Sequence, residues 1–161
     1  ATLGALREAA VGEAARPERT TAWVAQLRST EAEKRAAEQG DFDDDRAPLH
    51  PLRVYRELRE VLERDAIVIG DGGDFVSYAG RVIETYEPGC WMDPGPYGCL
   101  GAGPGQAIGA KLAHPERQVC VLLGDGAFGF SGLEFDSMVR HGLPVAERGP
   151  APGRAGESAA V

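Results

Sequence analysis

The sequence predicts an α/β protein built on a doubly wound parallel sheet. Residues 119–123 are continuously apolar, as expected of a strand covered on both faces in a parallel sheet. Residues 66–69 form a second short apolar run, and both runs lead into glycine-rich turns. The segments around these runs place apolar residues three and four positions apart, which predicts helices. Strands that alternate with helices are typical of a parallel sheet with helices on both faces.

The first 46 residues predict helices and an acidic linker rather than part of the sheet. Residues 1–18 are alanine-rich, with apolar residues at rough helical spacing. Thr20 or Thr21 can cap a second helix, which we expect to stop at Gly40. Residues 41–45 predict a solvated hinge, because their aspartates lack the alternating spacing of a calcium loop.

The predicted sheet domain covers residues 47–145. Pro51 is well placed as the first residue of a helix. We expect that helix to bury apolar residues at three- and four-residue steps, namely Val54, Tyr55, Leu58, Val61 and Leu62. The pattern predicts helices over 51–64, 74–86, 104–113 and 131–141, and strands over 66–70 and 118–123.

Charge, hydropathy and cysteine spacing argue against several classes of function. The formal net charge is −8 without a basic cluster, which argues against nucleic-acid binding. No stretch approaches the roughly 18 apolar residues of a membrane span. The first residues do not form a secretion signal, so we expect a cytoplasmic protein. Cys90, Cys99 and Cys120 lack a CxxC spacing, and we expect reduced, buried thiols rather than a disulfide or a zinc site.

Chemistry is predicted where the apolar run at 119–123 ends. Gly124, Asp125 and Gly126 follow it directly, and ligands bind at the carboxyl ends of strands in open α/β sheets. Glycines let the backbone approach a phosphate closely, and a following helix directs free N–H groups at it. The Asp125 carboxylate suits a hard cation that neutralises the same phosphate.

Three ordered blocks extend this pattern over about a hundred residues. They are GDGGDF at 70–75, GPYGCLGAG at 95–103 leading into QAIGAKL at 106–112, and GDG at 124–126. In this order and spacing, residues 47–145 resemble the cofactor-binding domain of thiamine-diphosphate-dependent enzymes of the acetolactate synthase branch. The resemblance implies a thiamine-diphosphate-binding domain with an incomplete doubly wound sheet, preceded by a helical linker. It also implies that residues 1–46 are the end of the family's middle domain and that linker.

The resemblance implies a set of cofactor contacts. The turn at 72–75 matches residues that line the diphosphate, although the branch often carries Gln and His where this chain has Asp74 and Phe75. Gly98 matches a residue whose carbonyl accepts a hydrogen bond from the aminopyrimidine, and Leu100 matches the apolar residue beneath the thiazolium. The implied cofactor-binding residues are Gly72, Gly73, Asp74, Phe75, Gly98, Leu100, Gly124, Asp125, Gly126 and Ala127, with Asp125 as the metal ligand.

Two features of the family are missing from this sequence. The family supplies a second Mg²⁺ ligand from an asparagine about 27 residues after the aspartate, and this chain contains no asparagine. The family's proton-transferring glutamate belongs to an N-terminal domain of the partner subunit. We therefore assign no catalytic residue to this chain and expect it to be inactive alone.

Residues 146–161 depart from the family pattern. Their sequence, AERGPAPGRAGESAAV, has prolines and glycines where the family has a buried apolar strand. Proline and glycine are unsuited to a central strand. We hypothesise a change of reading frame after Val145, the alternative being a native disordered tail.

The resemblance implies decarboxylation of a 2-keto acid followed by carboligation, with thiamine diphosphate and Mg²⁺ as cofactors and a homodimer or homotetramer as the full-length assembly. The sequence leaves open whether FAD is also used. One alternative is an enzyme of the 2-hydroxyacyl-CoA lyase or oxalyl-CoA decarboxylase type, and another is a non-catalytic dimerisation partner. A nicotinamide-binding fingerprint at Gly103, Gly105 and Gly109 is disfavoured, because turn-like residues rather than a strand precede it. We assign structural roles to His50, His114 and His141.

Overall fold

The computed structural model describes residues 2–13 and 17–148, and the chain divides into two compact units between Asp43 and Asp44. The first unit contains helices α1 (Thr2–Glu13) and α2 (Pro17–Phe42). The elements of the second unit are α3 (Pro51–Val61), β1 (Ile67–Asp71), α4 (Gly73–Val82), β2 (Trp91–Met92), a 3-10 turn (Gly95–Tyr97), α5 (Gly103–Ala113), β3 (Val119–Leu123), α6 (Asp125–Ser131), α7 (Glu134–Arg140) and β4 (Ala146–Arg148). Within the described ranges, no helix is long and apolar enough to cross a membrane.

Helix α2 is longer at both ends than the sequence predicts. It begins at Pro17, before the predicted threonine cap, because proline suits the first helical position. It continues through Gly40 to Phe42, so the predicted stop at Gly40 is wrong. A glycine inside a helix costs only about 1 kcal/mol relative to alanine. Pairs four residues apart, such as Arg35 with Glu31 at 2.8 Å, support the polar part of this helix.

The second unit is built on a four-stranded parallel sheet in the order β2-β1-β3-β4. The central ladder aligns Ile67 with Val119 at one end and Asp71 with Leu123 at the other. Every residue of β1 and β3 is buried, as their continuous apolar character predicts. The α/β class and the parallel sheet are confirmed, and the bounds of both predicted strands are correct to within one residue.

Helices cover both faces of this sheet. On one face, α5 and α7 pack over a core formed by Ile67, Ile69, Cys90, Ala107, Val119, Val121, Leu123, Ala127 and Met138. On the other face, α4 lies so close to β1 that a Cβ at Gly70 would be 2.5 Å from Cγ1 of Val76. Helix α3 packs on α4 and buries Leu52, Tyr55 and Leu58. This arrangement is doubly wound.

Several predicted helix bounds and side-chain positions need correction. Helix α3 ends at Val61, whose side chain is exposed rather than buried. Helix α4 ends at Val82, four residues before the predicted end at residue 86. The helix predicted over 131–141 is the shorter α7, and a separate helix, α6, which begins within the Gly-Asp-Gly turn, precedes it. They separate at Gly132, where a Cβ would lie within 2.9 Å of the ring and carbonyl of Phe128.

The three cysteines, all within the described residues, form no disulfide and lie in two environments. Cys90 and Cys120 are buried, but Cys99 is exposed, so the expectation of buried thiols is wrong at this position. Cys99 lies in the glycine-rich turn before α5, where few neighbours cover the side chain.

The beginning of the predicted tail contributes to the sheet. Residues 146–148 form β4, which runs parallel to β3 and pairs Ala146 with Cys120. This strand lies at the edge of the sheet, where a strand need not be as apolar as a central strand that is covered on both faces. Residues 149–161, the remainder of that prediction, lie outside the described residues.

Side chains hold the amino ends of the strands together. Arg117 donates to the carboxylate of Glu87 at 2.8 Å. The side-chain carbonyl of Gln118 accepts from the backbone N–H of Glu63 at 2.8 Å, and its amide nitrogen donates to the carbonyl of Val61 at 3.2 Å. These contacts join the segments that lead into β1, β2 and β3.

Candidate functional site

The candidate site lies where β1 and β3 end side by side. The backbone N–H of Gly124 donates to the carbonyl of Asp71 at 3.4 Å. A Cβ at Gly124 would be 3.7 Å from the carbonyl oxygen of Gly72. The two glycine-rich turns therefore adjoin at the carboxyl edge of the sheet, which is the ligand-binding edge in open α/β folds.

The turn after β1 is closely packed around Gly72. This residue has φ +80°, and a Cβ there would be 2.0 Å from Cδ2 of Leu100 and 3.7 Å from Cβ of Ala127. Only glycine combines this backbone conformation with that approach. Gly72, Leu100, Gly124 and Ala127, all predicted from the sequence as site residues, are thus brought together.

The two helices that start at this edge have no side-chain cap among the described residues. Gly72 is the N-cap of α4 and Gly124 is the N-cap of α6, and glycine has no side chain that could accept a capping hydrogen bond. The first N–H groups of a helix have no partner within the helix. Asp125 and Gly126 lie exposed in the first turn of α6, and no heavy atom would come within 4 Å of a Cβ at Gly126. This edge is open at the positions predicted to meet a phosphate.

The other predicted site residues are spread more widely. Gly73, with φ +73°, and Asp74 are exposed at the start of α4. Gly98 is exposed after the 3-10 turn, with φ +60° and its N–H bonded to the carbonyl of Gly95 at 3.1 Å. The half-buried Phe75 packs its ring against that of Tyr55, with 4.8 Å between centroids.

Tyr55 joins α3 to α4 next to the candidate site. Its hydroxyl donates to the backbone carbonyl of Phe75 at 2.9 Å. Burial raises the pKa of the Tyr55 phenol well above its ordinary value, with a smaller contribution from the nearby Cys120 thiol. The phenol is therefore a neutral hydrogen-bond donor at physiological pH.

Asp71 is a residue of this region to which the sequence assigned no role. Its side chain is completely buried at the end of β1. Its carboxylate accepts from the backbone N–H of Gly101 at 3.0 and 3.1 Å and from that of Gly103 at 2.6 Å. The available signal was an aspartate one glycine after an apolar run, but the sequence did not show whether it belonged to the strand or to the turn.

A cleft of about 640 Å³ adjoins the start of α4. Its lining includes Gly72 and Gly73 from the turn, Val76, Ser77 and Gly80 from α4, and Trp91, Asp93 and Gly95 from the segment around β2. The Trp91 indole N–H donates to Asp93 at 2.9 Å, and this carboxylate also accepts from the N–H of Gly95 at 2.7 Å.

The chain fits a phosphate group better than a complete metal site. Across the described residues, no group of three His, Cys, Asp and Glu side chains could hold a metal ion. Asp125 offers one exposed carboxylate beside uncapped N–H groups. A magnesium ion at Asp125 would need further oxygen ligands from phosphate, backbone or water.

Comparison with known proteins identifies the class to which this edge belongs. Residues 71–146 match the family described as thiamine pyrophosphate enzyme, C-terminal TPP binding domain, thiamine pyrophosphate being thiamine diphosphate. The matched segment runs from Asp71 through both adjoining turns into β4. Over these residues the chain is similar to the C-terminal domain of thiamine-diphosphate-dependent enzymes.

The chain is also similar to individual proteins whose names state an activity. The acetolactate synthase large subunit IlvG of Mycobacterium tuberculosis is 59% identical over 123 residues, which are 76% of this chain and 22% of that protein. The 2-hydroxyacyl-CoA lyase 2 of Homo sapiens is 42% identical over 127 residues, which are 76% of this chain and 20% of that protein. The corresponding Mus musculus protein is 43% identical with the same coverage. The chain thus spans about a fifth of the length of these relatives.

Proposed function

We propose that this chain contributes part of the cofactor site of an acetolactate synthase-like enzyme, which decarboxylates a 2-keto acid and joins the product to a second acceptor. The observation that carries this proposal is the meeting of two uncapped helix N-termini at adjoining strand ends, with the exposed Asp125 carboxylate beside them. Such N-termini attract a diphosphate through their N–H groups and dipoles. The 59% identity to an acetolactate synthase large subunit supports this activity over the alternatives.

In this proposal, thiamine diphosphate supplies the carbanion-stabilising chemistry when bound. The backbones of Gly72, Gly73 and the first turn of α6 from Gly124 to Ala127 bind the diphosphate. Asp125 provides one ligand to Mg²⁺, and its exposure leaves room for phosphate and water oxygens. These groups would orient the cofactor, the Mg²⁺ held by Asp125 would offset the negative charge of the diphosphate, and no proton-transfer step is assigned to this chain.

Leu100 and Gly98 keep their predicted contacts in the proposal, whereas Asp74 and Phe75 no longer contact the diphosphate. Leu100 is 43% exposed and lies against Gly72, where its side chain can support the thiazolium ring. The exposed Gly98 can offer its backbone carbonyl to the amino group of the aminopyrimidine. Asp74 lies exposed in the first turn of α4, where a negative charge is favourable to the helix dipole. A carboxylate facing a diphosphate would repel it, so we place Asp74 toward solvent or the cation. The Phe75 side chain supports α4 through Tyr55.

A full-length chimera provides the test of this proposal. Residues 47–145 of this chain, the predicted cofactor-binding domain, would replace the corresponding segment of the Mycobacterium tuberculosis relative, so that the remaining ligands and domains are present. We expect Mg²⁺-dependent binding of thiamine diphosphate by calorimetry, and formation of acetolactate from pyruvate. Asp125→Ala should weaken binding about a thousandfold, which corresponds to roughly 4 kcal/mol. Asp136→Ala, at an exposed carboxylate on α7, is the matched control and should bind normally.

The isolated 161-residue chain completes this test. We expect it not to bind thiamine diphosphate at micromolar concentrations, because it contains no asparagine to serve as the second Mg²⁺ ligand. Undiminished binding by the Asp125→Ala chimera would refute the metal assignment. Homodimer or homotetramer formation by the chimera, and any requirement for FAD, can be measured on the same sample.

A second candidate is the lyase chemistry named in the 42–43% identical relatives. The same chimera separates it from the first, because a lyase would cleave a 2-hydroxyacyl-CoA and would not condense pyruvate. A chimera that binds the cofactor without either activity would favour a non-catalytic dimerisation partner.

A further inference from the structure

The feature that carries a further inference is the buried carboxylate of Asp71. Its Oδ2 lies 2.6 Å from the backbone nitrogen of Gly103 and 3.1 Å from that of Gly101, and its Oδ1 lies 3.0 Å from the nitrogen of Gly101. The side chain is 0% exposed, so these backbone groups replace the water that an ionised carboxylate would otherwise bind. Hydrogen bonds to a charged acceptor are roughly twice as strong as neutral ones.

These hydrogen bonds fix both ends of a short segment at the candidate site. Gly101 and Gly103 flank Ala102 at the start of α5, and Leu100 immediately precedes them. The side chain of Leu100 lies over Gly72, one residue after Asp71. The carboxylate thus links the end of β1 to the segment that places Leu100 on the adjoining turn.

Close packing leaves this segment little freedom to rearrange. A Cβ at Gly103 would lie 2.7 Å from Cβ of Asp71, and one at Gly101 would lie 2.8 Å from Cβ of Phe130. Gly101 also has φ +89°, a conformation that other residues rarely adopt. The segment is therefore enclosed by β1 on one side and by α6 on the other.

An isosteric amide cannot reproduce the contacts of the carboxylate. In the variant Asp71→Asn, an amide oxygen in the place of Oδ2 would keep both Gly101 and Gly103 as donors, but the amide nitrogen would then face the N–H of Gly101, donor to donor. Asparagine would therefore preserve the shape of the residue while it loosens the hold on Gly101.

We propose that Asp71 is a positioning residue of the cofactor site, which sets the position of Leu100 by holding the N–H groups of Gly101 and Gly103. The part of this inference that concerns the cofactor rests on the proposed function. The contacts that position the segment do not depend on any ligand, and the two parts are tested separately.

The first experiment measures amide hydrogen exchange in the full 161-residue chain. We expect protected amides at Gly101 and Gly103, and exchange at least tenfold faster at Gly101 in Asp71→Asn. Asp125→Asn, in the open turn after β3, is the matched control and should leave both rates unchanged. Unprotected amides in the native chain, or unchanged exchange in Asp71→Asn, would overturn the positioning role.

The second experiment measures thiamine diphosphate affinity in the chimera described above. We expect Asp71→Asn to weaken binding at least tenfold. Val68→Ala, at a buried position on the opposite face of β1, is a control for loss of stability and should change affinity less than twofold. If Asp71 acts through Leu100, the double variant Asp71→Asn with Leu100→Ala should bind thiamine diphosphate no more weakly than whichever single variant has the lower affinity.

The outcomes separate this inference from the proposed function. A native chimera that fails to bind thiamine diphosphate refutes the proposed function, and the exchange rates then decide whether Asp71 positions the segment. If the native chimera binds, two results would refute the positioning of Leu100 for the cofactor. One is that the effects of Asp71→Asn and Leu100→Ala on affinity are additive. The other is that Asp71→Asn and Val68→Ala weaken binding equally.

Discussion

The same tripeptide, Gly-Asp-Gly, occurs at 70–72 and at 124–126, yet the two copies have opposite environments. In the ladder Gly70 pairs with Leu122 and Asp71 with Leu123, so the second triplet, which begins at Gly124, starts two residues later relative to its strand. Asp71 is consequently the last residue of β1 and is buried, whereas Asp125 is the first residue of α6 and is exposed. The end of the strand, rather than the motif, decides whether the carboxylate is part of the core.

The flanking glycines differ in the same way. A Cβ at Gly70 would lie 2.5 Å from Val76, and one at Gly72 would lie 2.0 Å from Leu100. In the second triplet, the nearest atom to a Cβ at Gly124 is 3.7 Å away, and Gly126 has none within 4 Å. The first triplet is a packing element, and the second is an open turn with room for a ligand.

The largest expected difference is between the two aspartates. Asp71→Ala should lower the free energy of unfolding by roughly 3–4 kcal/mol, because it leaves the buried N–H groups of Gly101 and Gly103 without an acceptor. Asp125→Ala should lower it by less than about 1 kcal/mol, since an exposed charge in the first turn of a helix contributes little. Urea unfolding followed by circular dichroism measures both. Equal losses would contradict the contrast between the triplets.

The third residues of the triplets should differ by a smaller amount. Gly72→Ala combines a positive φ with a clash against Leu100, and we expect a loss of roughly 2–3 kcal/mol. Gly126→Ala lies inside a helix with open space around it, where alanine is favoured by up to about 1 kcal/mol. Thermal unfolding should therefore shift down for the first variant and stay level or rise for the second. A tolerated Gly72→Ala would mean that Leu100 moves away at little cost.

Alkaline pH should weaken the support behind the first triplet. Burial raises the pKa of Tyr55 in the folded chain, so above about pH 10 the unfolded chain loses this proton first. The folded chain then binds more protons than the unfolded chain, and stability falls by up to about 1.4 kcal/mol per pH unit. Tyr55→Phe should remove this slope and cost about 1 kcal/mol at neutral pH through the lost bond to Phe75.

The exposed Tyr97 provides the control for this pH dependence, because Tyr97→Phe should leave the slope unchanged. Denaturant unfolding between about pH 8 and about pH 11, a range that spans the ordinary tyrosine pKa, measures the free energy for each variant. A native slope that persists in Tyr55→Phe would assign the effect to other groups.

The sequence predicted the central pair of strands because their apolar runs are continuous and short. It could not predict that Asp71 belongs to β1, since a one-residue difference in where a strand ends leaves no mark on apolar periodicity. Strand β2 has only two residues and β4 only three, which is too short for a periodic signal. Helix α2 passes Gly40 because the side-chain pairs around it outweigh the modest cost of one glycine.

The sequence assigned residues to the candidate site but did not indicate the contacts between them. Leu100 and Gly72 were assigned to the site separately, and the structure places the one against the other. Phe75 was assigned to the diphosphate turn, and its ring packs on Tyr55. The roles of all ten residues in cofactor binding stay predictions until binding is measured.

The side chains that tie the amino ends of the strands have a consequence for how this domain can vary. Arg117 and Gln118 secure the segments before β1, β2 and β3 at the edge opposite the adjoining turns. We expect substitutions there to change the stability of the sheet while the groups presented at the other edge stay the same. Random mutagenesis should therefore recover thermostability changes from the amino edge and altered ligand preference from the carboxyl edge, so that the two properties can be selected one after the other.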